Sequence, residues 1–194
     1  MLITAKYLRR YFIEQDIKEF NANGRVLEIG SGRRWRYIKD SITVNKDPSA
    51  EPDLVLDAEK LPFCDEFDCI LAIEVLEHTP NPQILIQNIY KALVRGGRCL
   101  VTVPFCFEIH AKEDYWRFTK EGLRHLFRDF TNVRIKHHGG ISCVIGHYLR
   151  ITPLGYFLYP VINNLSFWVD KIISFGEPRV TLGYGVIAQK PRYF

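Results

Sequence analysis

The chain has 194 residues, 47% of them hydrophobic and 25% charged, with a formal net charge of +4. That length suits one domain, the apolar share is enough to bury a core, and so mild a positive charge gives no reason to expect a nucleic-acid partner. The five cysteines are an odd number without a Cys-x-x-Cys pair, which argues against a disulfide framework or a zinc site and fits free thiols in a reducing cytoplasm.

Residues 3–20 place Leu8, Phe12, Ile13, Ile17 and Phe20 at helical spacings with Lys, Arg and Glu between them, which predicts an amphipathic helix ended by Asn21-Ala22-Asn23-Gly24. The same stretch lacks the continuous apolar core of a signal peptide. Residues 25–29 form a short apolar run that halts at Gly30-Ser31-Gly32, and strand-like runs follow at 42–45, 53–57, 67–73 and 98–103. Residues 82–94 predict a helix with Ile84, Leu85, Ile89 and Leu93 on one side, Pro82 in its first turn and Gly96-Gly97 beyond its end. A second helix is expected over 119–128, where Thr119 is placed to cap. Residues 133–137 and 184–189 are the last strand candidates. Strands alternating with helices predict an α/β sheet, mostly parallel. Residues 46–52 are fewer than the dozen or so of a usual parallel crossover, so either that connection is bare extended chain or one neighbouring strand is misassigned.

From Ile151 to Val169 there are 19 residues without a charge. A spanning helix needs about 20 mostly apolar residues, but Pro153, Gly155, Pro160, Asn163 and Asn164 argue against an uninterrupted one. The segment also lies between two strands that must return to one sheet, which makes a membrane span its least favoured reading.

A strand ending at Gly-x-Gly presents backbone at the carboxyl edge of such a sheet, where ligands bind. A dinucleotide fingerprint needs a third glycine where this chain has Trp35, and a phosphate loop needs a Lys-Ser or Lys-Thr that is missing. Glu28, two residues before the first glycine, would repel a diphosphate and attract a cation. The turn therefore favours a nucleoside-containing ligand that carries positive charge.

S-adenosylmethionine is such a ligand, and Val26-Leu27-Glu28-Ile29-Gly30-Ser31-Gly32 resembles the first motif of the class I S-adenosylmethionine-dependent methyltransferases, in particular the type 11 group. Asp57-Ala58 with Leu61-Pro62-Phe63, then Phe67-Asp68-Cys69-Ile70 through Glu74-Val75-Leu76-Glu77-His78, and Arg95-Gly96-Gly97, continue the resemblance over residues 26–104. It implies a Rossmann-like methyltransferase sheet, mostly parallel with an antiparallel last strand. It also implies a cofactor site at Glu28, Gly30, Ser31, Gly32, Asp47, Asp57, Ala58 and Glu74, with Asp47 on the ribose and Asp57-Ala58 beside the adenine. The expected organisation is a single domain: an N-terminal helix over 1–24, a cofactor-binding core over 25–140, an apolar helical insert over 141–180, and the last strand and tail over 181–194.

Enzymes that methylate amino groups of nucleobases carry an Asn-Pro-Pro-Tyr-like loop after the fourth strand; this chain has Glu74 to His78 there. The stretch from His110 to Thr119 resembles the aspartate–tyrosine–arginine–threonine segment of type 11 enzymes encoded with glycan and lipid biosynthesis. That resemblance implies a small-molecule or lipid- or glycan-linked acceptor, such as a sugar hydroxyl, held by Asp114, Tyr115, Trp116 and Arg117. A competing reading makes Trp116 and Phe118 core anchors and Arg117 half of an internal ion pair. A hydroxyl acceptor benefits from a general base, for which His110 is preferred and His78 follows. No ligand spacing around His137-His138 supports a metal, and none is expected. The insert reads as a lid over the substrate, as a contact with the inner membrane surface, or as a homodimer contact. The rival to an enzyme is a catalytically silent interaction module of the same fold, associated with a membrane.

Overall fold

The computed structural model describes residues 8–150, 152–173 and 178–193. Seven strands form one sheet: β1 (Val26–Ile29), β2 (Ile42–Asn45), β3 (Leu54–Val55), β4 (Phe67–Ile73), β5 (Leu93–Pro104), β6 (Thr131–His137) and β7 (Gly183–Gln189), in the order β3-β2-β1-β4-β5-β7-β6. The first five run parallel, with Glu28 opposite Thr43 and Leu71, and β7 is antiparallel to both β5 and β6.

The central strands are nearly continuous apolar runs because both sheet faces are covered. Alternation sends Leu27, Ile29, Ile70 and Ala72 to one face, where they meet Leu85 and Ile89 of α2 (Pro82–Ala92) and Leu123 of α3 (Lys120–Leu126). Val26, Cys69, Leu71 and Leu100 face the other way, against Ile13 and Phe20 of α1 (Leu8–Phe20). Phe20 is fully buried, a burial that stabilises by about 1.5–3 kcal/mol. All five cysteines are free thiols, and Cys69, Cys99 and Cys143 serve as small core residues.

The local signals resolve as follows. Pro82 occupies the first turn of α2, and the Thr119 hydroxyl accepts from Gly122 N at 3.1 Å to cap α3. The strand expected over 53–57 shrinks to Leu54–Val55, because the Asp53 carboxylate turns back to accept from Thr43 N at 2.8 Å and Asp57 caps the next turn. The connection between β2 and β3 is a bare one, shaped by a single 3-10 turn over Pro48–Ala50. The helix expected from residue 119 ends at Leu126. The first seven residues of the expected N-terminal helix lie outside the described residues.

Between β6 and β7 the insert folds as two helices, α4 (Ile141–Arg150) and α5 (Pro153–Ile173). The prolines and asparagines do not interrupt α5: the helix continues through Pro160, and Asn164 Nδ2 donates to Pro160 O at 2.7 Å. No described helix is long and apolar enough to cross a membrane. Phe167 packs on α1 through Tyr11 and Phe12, while Phe157, Val161, Leu165, Trp168 and Ile172 form an exposed stripe.

Candidate active site

In this strand order β1 lies between β2 and β4, and the chain leaves the sheet in opposite directions on its two sides, which opens a crevice at the carboxyl ends of the strands. A cavity of about 560 Å³ occupies that crevice, within the usual range for a small-molecule site. Gly30 forms its floor in the left-handed region, with φ 77°. A Cβ there would collide with the Val75 side chain, so only glycine fits this turn against Val75. Gly30 N donates to Val44 O at 2.8 Å and Asn45 Nδ2 donates to Gly30 O at 2.9 Å, which fixes the turn.

The sequence-predicted cofactor residues separate into two groups. Gly30, Asp57, Ala58 and Glu74 line the cavity. Asp57 Oδ1 accepts from Glu59 N at 2.9 Å and Asn88 Nδ2 of α2 donates to Ala58 O at 3.1 Å, so this wall is braced from behind. Glu28, Ser31, Gly32 and Asp47 are outside the lining. Glu28 is fully buried and accepts from Ile38 N and Ser41 Oγ, both at 2.7 Å, and from Tyr37 N at 3.0 Å. It anchors the loop that follows the glycine turn. Ser31 is buried behind that turn, and Gly32 packs on the Ala50 backbone. Asp47 is exposed and accepts from Ser49 N at 2.8 Å, next to Lys46, which does line the cavity.

Glu74 sits just past β4 with φ 55°, a strained position for a residue with a side chain. Arg9 of α1 grips its carboxylate with two nitrogens, and Thr102 Oγ1 donates to it at 3.0 Å. Burial alone would raise the Glu74 pKa, but Arg9, Thr102 and His138 outweigh it and hold the group below its ordinary value, as a carboxylate. Glu77, one 3-10 turn later, is fully buried, and neither of its oxygens has a hydrogen-bond partner among the described residues. Burial and the neighbouring Glu74 charge push its pKa well up.

The two candidate bases come together. His78 Nε2 and His110 Nε2 are 3.1 Å apart, and the ring centroids are 4.8 Å apart at 71°. His78 Nδ1 donates to Glu113 O, and His110 Nδ1 lies 3.1 Å from Asp114 Oδ2. Asp114 is bonded by both terminal nitrogens of Arg117, and its pKa falls to about 2 through that hydrogen-bonded pair, despite desolvation, with the His110 N–H helping. Arg117 therefore makes the internal ion pair of the competing reading, and it also donates to Glu108 O at 3.1 Å. Trp116 Nε1 donates to Thr79 O at 2.9 Å, and Tyr115 N donates to Glu77 O at 2.8 Å, which pins this loop over the end of β4. The Tyr115 ring and the Trp116 ring remain largely exposed.

Several residues absent from the sequence-based set shape the site: Arg9, Glu77, Thr102, Lys46 and Glu108. Glu77 stood within the quoted Glu74 to His78 motif but carried no separate signal. Lys46 pairs with Glu113 across the cavity mouth. Glu108 accepts from His147 of α4 at 2.6 Å, and the Phe107 and His147 rings stack at 4.7 Å, so the insert rests on the loop that carries His110.

Residues 5–140 match the profile of a family described as "Methyltransferase domain". An uncharacterized protein of Methanocaldococcus jannaschii is 31% identical over 99 residues, an alignment covering 45% of this chain and 48% of that protein. The chain thus spans about half the length of that curated relative. Among solved structures, a SAM-dependent methyltransferase from Archaeoglobus fulgidus superposes with a TM-score of 0.61 at 18% identity, covering 96% of this chain and 95% of the other. A phosphoethanolamine N-methyltransferase 2 of Haemonchus contortus, solved with phosphomonomethylethanolamine and S-adenosylhomocysteine, gives 0.60 at 14% identity, covering 92% of this chain and 53% of that one.

Proposed function

The chain belongs to the methyltransferase-domain family and has the class I fold of S-adenosylmethionine-dependent methyltransferases, and on that premise we propose that it methylates a hydroxyl of a small-molecule or lipid- or glycan-linked acceptor, such as a sugar. The observation that carries the hydroxyl reading is the His78–His110 pair beside the cavity. Each ring places its Nδ1 against a carbonyl oxygen, Glu113 for His78 and Glu108 for His110, which makes Nε2 the nitrogen that can accept a proton.

The cavity fits the cofactor. The Gly30 backbone offers close approach, the Asp57-Ala58 wall gives an acceptor beside an apolar surface, and Glu74 puts a hydrogen-bond acceptor on another part of the lining. When bound, S-adenosylmethionine supplies a methyl on sulfonium, so that a C–O bond forms on the acceptor as the C–S bond breaks and S-adenosylhomocysteine leaves. The chain's own work is to hold donor and acceptor in line and to receive the hydroxyl proton at an imidazole Nε2. The exposed Tyr115 and Trp116 rings offer stacking surfaces for a sugar.

Incubation with methyl-labelled S-adenosylmethionine and a panel of sugar, glycolipid and amine acceptors tests this reading. The expected product is an alkali-stable methyl ether on a sugar-containing acceptor. Label found only on amines would contradict it.

A further inference from the structure

Glu77, His78 and His110 bring one carboxylate oxygen and two imidazole nitrogens to a single point. His78 Nε2 lies 3.1 Å from His110 Nε2, and Glu77 Oε1 lies 3.7 Å and 4.0 Å from those two atoms. A position about 2.1 Å from all three exists within that triangle, the bond length of zinc to imidazole or carboxylate.

The proton positions sharpen this. The Glu113 carbonyl can only accept, so His78 Nδ1 must donate to it; His110 Nδ1 likewise donates to the Glu108 carbonyl at 3.4 Å, with the Asp114 carboxylate 3.1 Å away. Two neutral rings so fixed direct two Nε2 lone pairs at each other, which is unfavourable unless something positive lies between them. The buried Glu77 carboxyl has no hydrogen-bond partner on either oxygen among the described residues and stands at the same point. A carbonyl and a carboxylate behind ligating histidines are the usual outer supports of a metal site, since they fix the tautomer and aim the ring. Arg117 in turn holds Asp114.

We propose that Glu77, His78 and His110 form a binding site for one divalent transition-metal ion, of the zinc or cobalt type favoured by two imidazoles and a carboxylate. Three protein ligands leave a coordination position open, and His78 lines the cavity, so that position is within reach of the acceptor space. Bound metal would occupy both Nε2 atoms, so a coordinated acceptor hydroxyl would be acidified by the ion and its proton would pass to water instead of to an imidazole. Only this last role rests on the hydroxyl reading above; metal binding does not. The pattern escapes a sequence scan because 32 residues separate His78 from His110.

The test is a cobalt(II) titration of chelator-stripped protein, read by visible ligand-field absorption, with zinc as competitor. One equivalent is expected to give a band that zinc abolishes. His110→Ala, on an exposed loop, and Glu77→Gln are each expected to weaken binding by roughly tenfold or more, while Cys64→Ser, which removes an exposed thiol, leaves it unchanged. Circular dichroism confirms that each variant is folded. Absence of cobalt and zinc binding in the parent protein, or a band that persists in folded His110→Ala, overturns the proposal. S-adenosylhomocysteine binding, measured on the same stripped samples, reports separately on the cofactor cavity.

Discussion

Arg9 and Glu74, 65 residues apart, form a part-buried two-point ion pair in which Nε lies 2.5 Å from Oε2. The pair ties α1 to the turn after β4 and fixes a carboxylate on the cavity wall at a strained backbone position. Removing Arg9 leaves a mostly buried Glu74 carboxylate without its counter-ion, held by the Thr102 hydroxyl. Arg9→Met is therefore expected to lower unfolding stability by about 3 kcal/mol, measured by urea denaturation. A loss under about 1 kcal/mol would show that α1 is not anchored in this way.

Gly30→Ala places a Cβ against Val75 at a left-handed position. The variant is expected to lose about 1–2 kcal/mol of stability and nearly all affinity for S-adenosylhomocysteine. A variant that binds normally would remove the glycine turn from the cofactor site.

Asp57→Asn keeps the cap geometry within reach but removes a charge from the cavity wall. Charge-assisted hydrogen bonds contribute about 1.5–3 kcal/mol, so affinity for S-adenosylhomocysteine should fall about tenfold or more, with thermal stability little changed. Unaltered affinity would place the cofactor elsewhere in the crevice.

His138 gives the fold a pH dependence. It is fully buried, 2.5 Å from Asp16 Oδ2, with Arg9 and Glu74 nearby. Burial, joined by the Arg9 charge, lowers its pKa from the ordinary 6.5 despite Asp16. The unfolded chain then binds this proton at a higher pH than the folded one, so stability falls as pH drops below about 6.5. Melting temperature should be lower at pH 5.5 than at pH 7.5, and His138→Gln should reduce the difference. A difference that survives unchanged in the variant would assign the effect to other groups.

The contact between the insert and the loop of His110 makes an effect on the acceptor the expected one. His147 reaches Glu108 at 2.6 Å, on the loop that carries His110. His147→Ala is expected to raise the KM for the acceptor several-fold and to leave S-adenosylhomocysteine affinity as it was. A parallel loss of cofactor affinity would mean that α4 braces the whole site.

The sheet was legible because its strands are short apolar runs with glycine turns at their ends, and the cavity floor at Gly30 because one turn carries its own signature. Long-range partners were not. Arg9 looks like one more charge on an amphipathic helix until β4 delivers Glu74 to it. Glu28 reads as a ligand carboxylate, yet two backbone N–H groups and a hydroxyl from residues 37–41 satisfy it inside the fold. Arg117 reads as a residue for the acceptor or as half of an internal ion pair, and Asp114, three residues earlier, takes it up. Helix α5 shows the opposite case: its proline suggested a break, but the helix packs on α1 and continues through it.

Calorimetric titration of S-adenosylhomocysteine into the purified chain reads the cofactor site itself. One binding site per chain is expected, weakened by Asp57→Asn and abolished by Gly30→Ala. A folded protein that gives neither binding heat nor a thermal shift with this ligand would contradict that expectation.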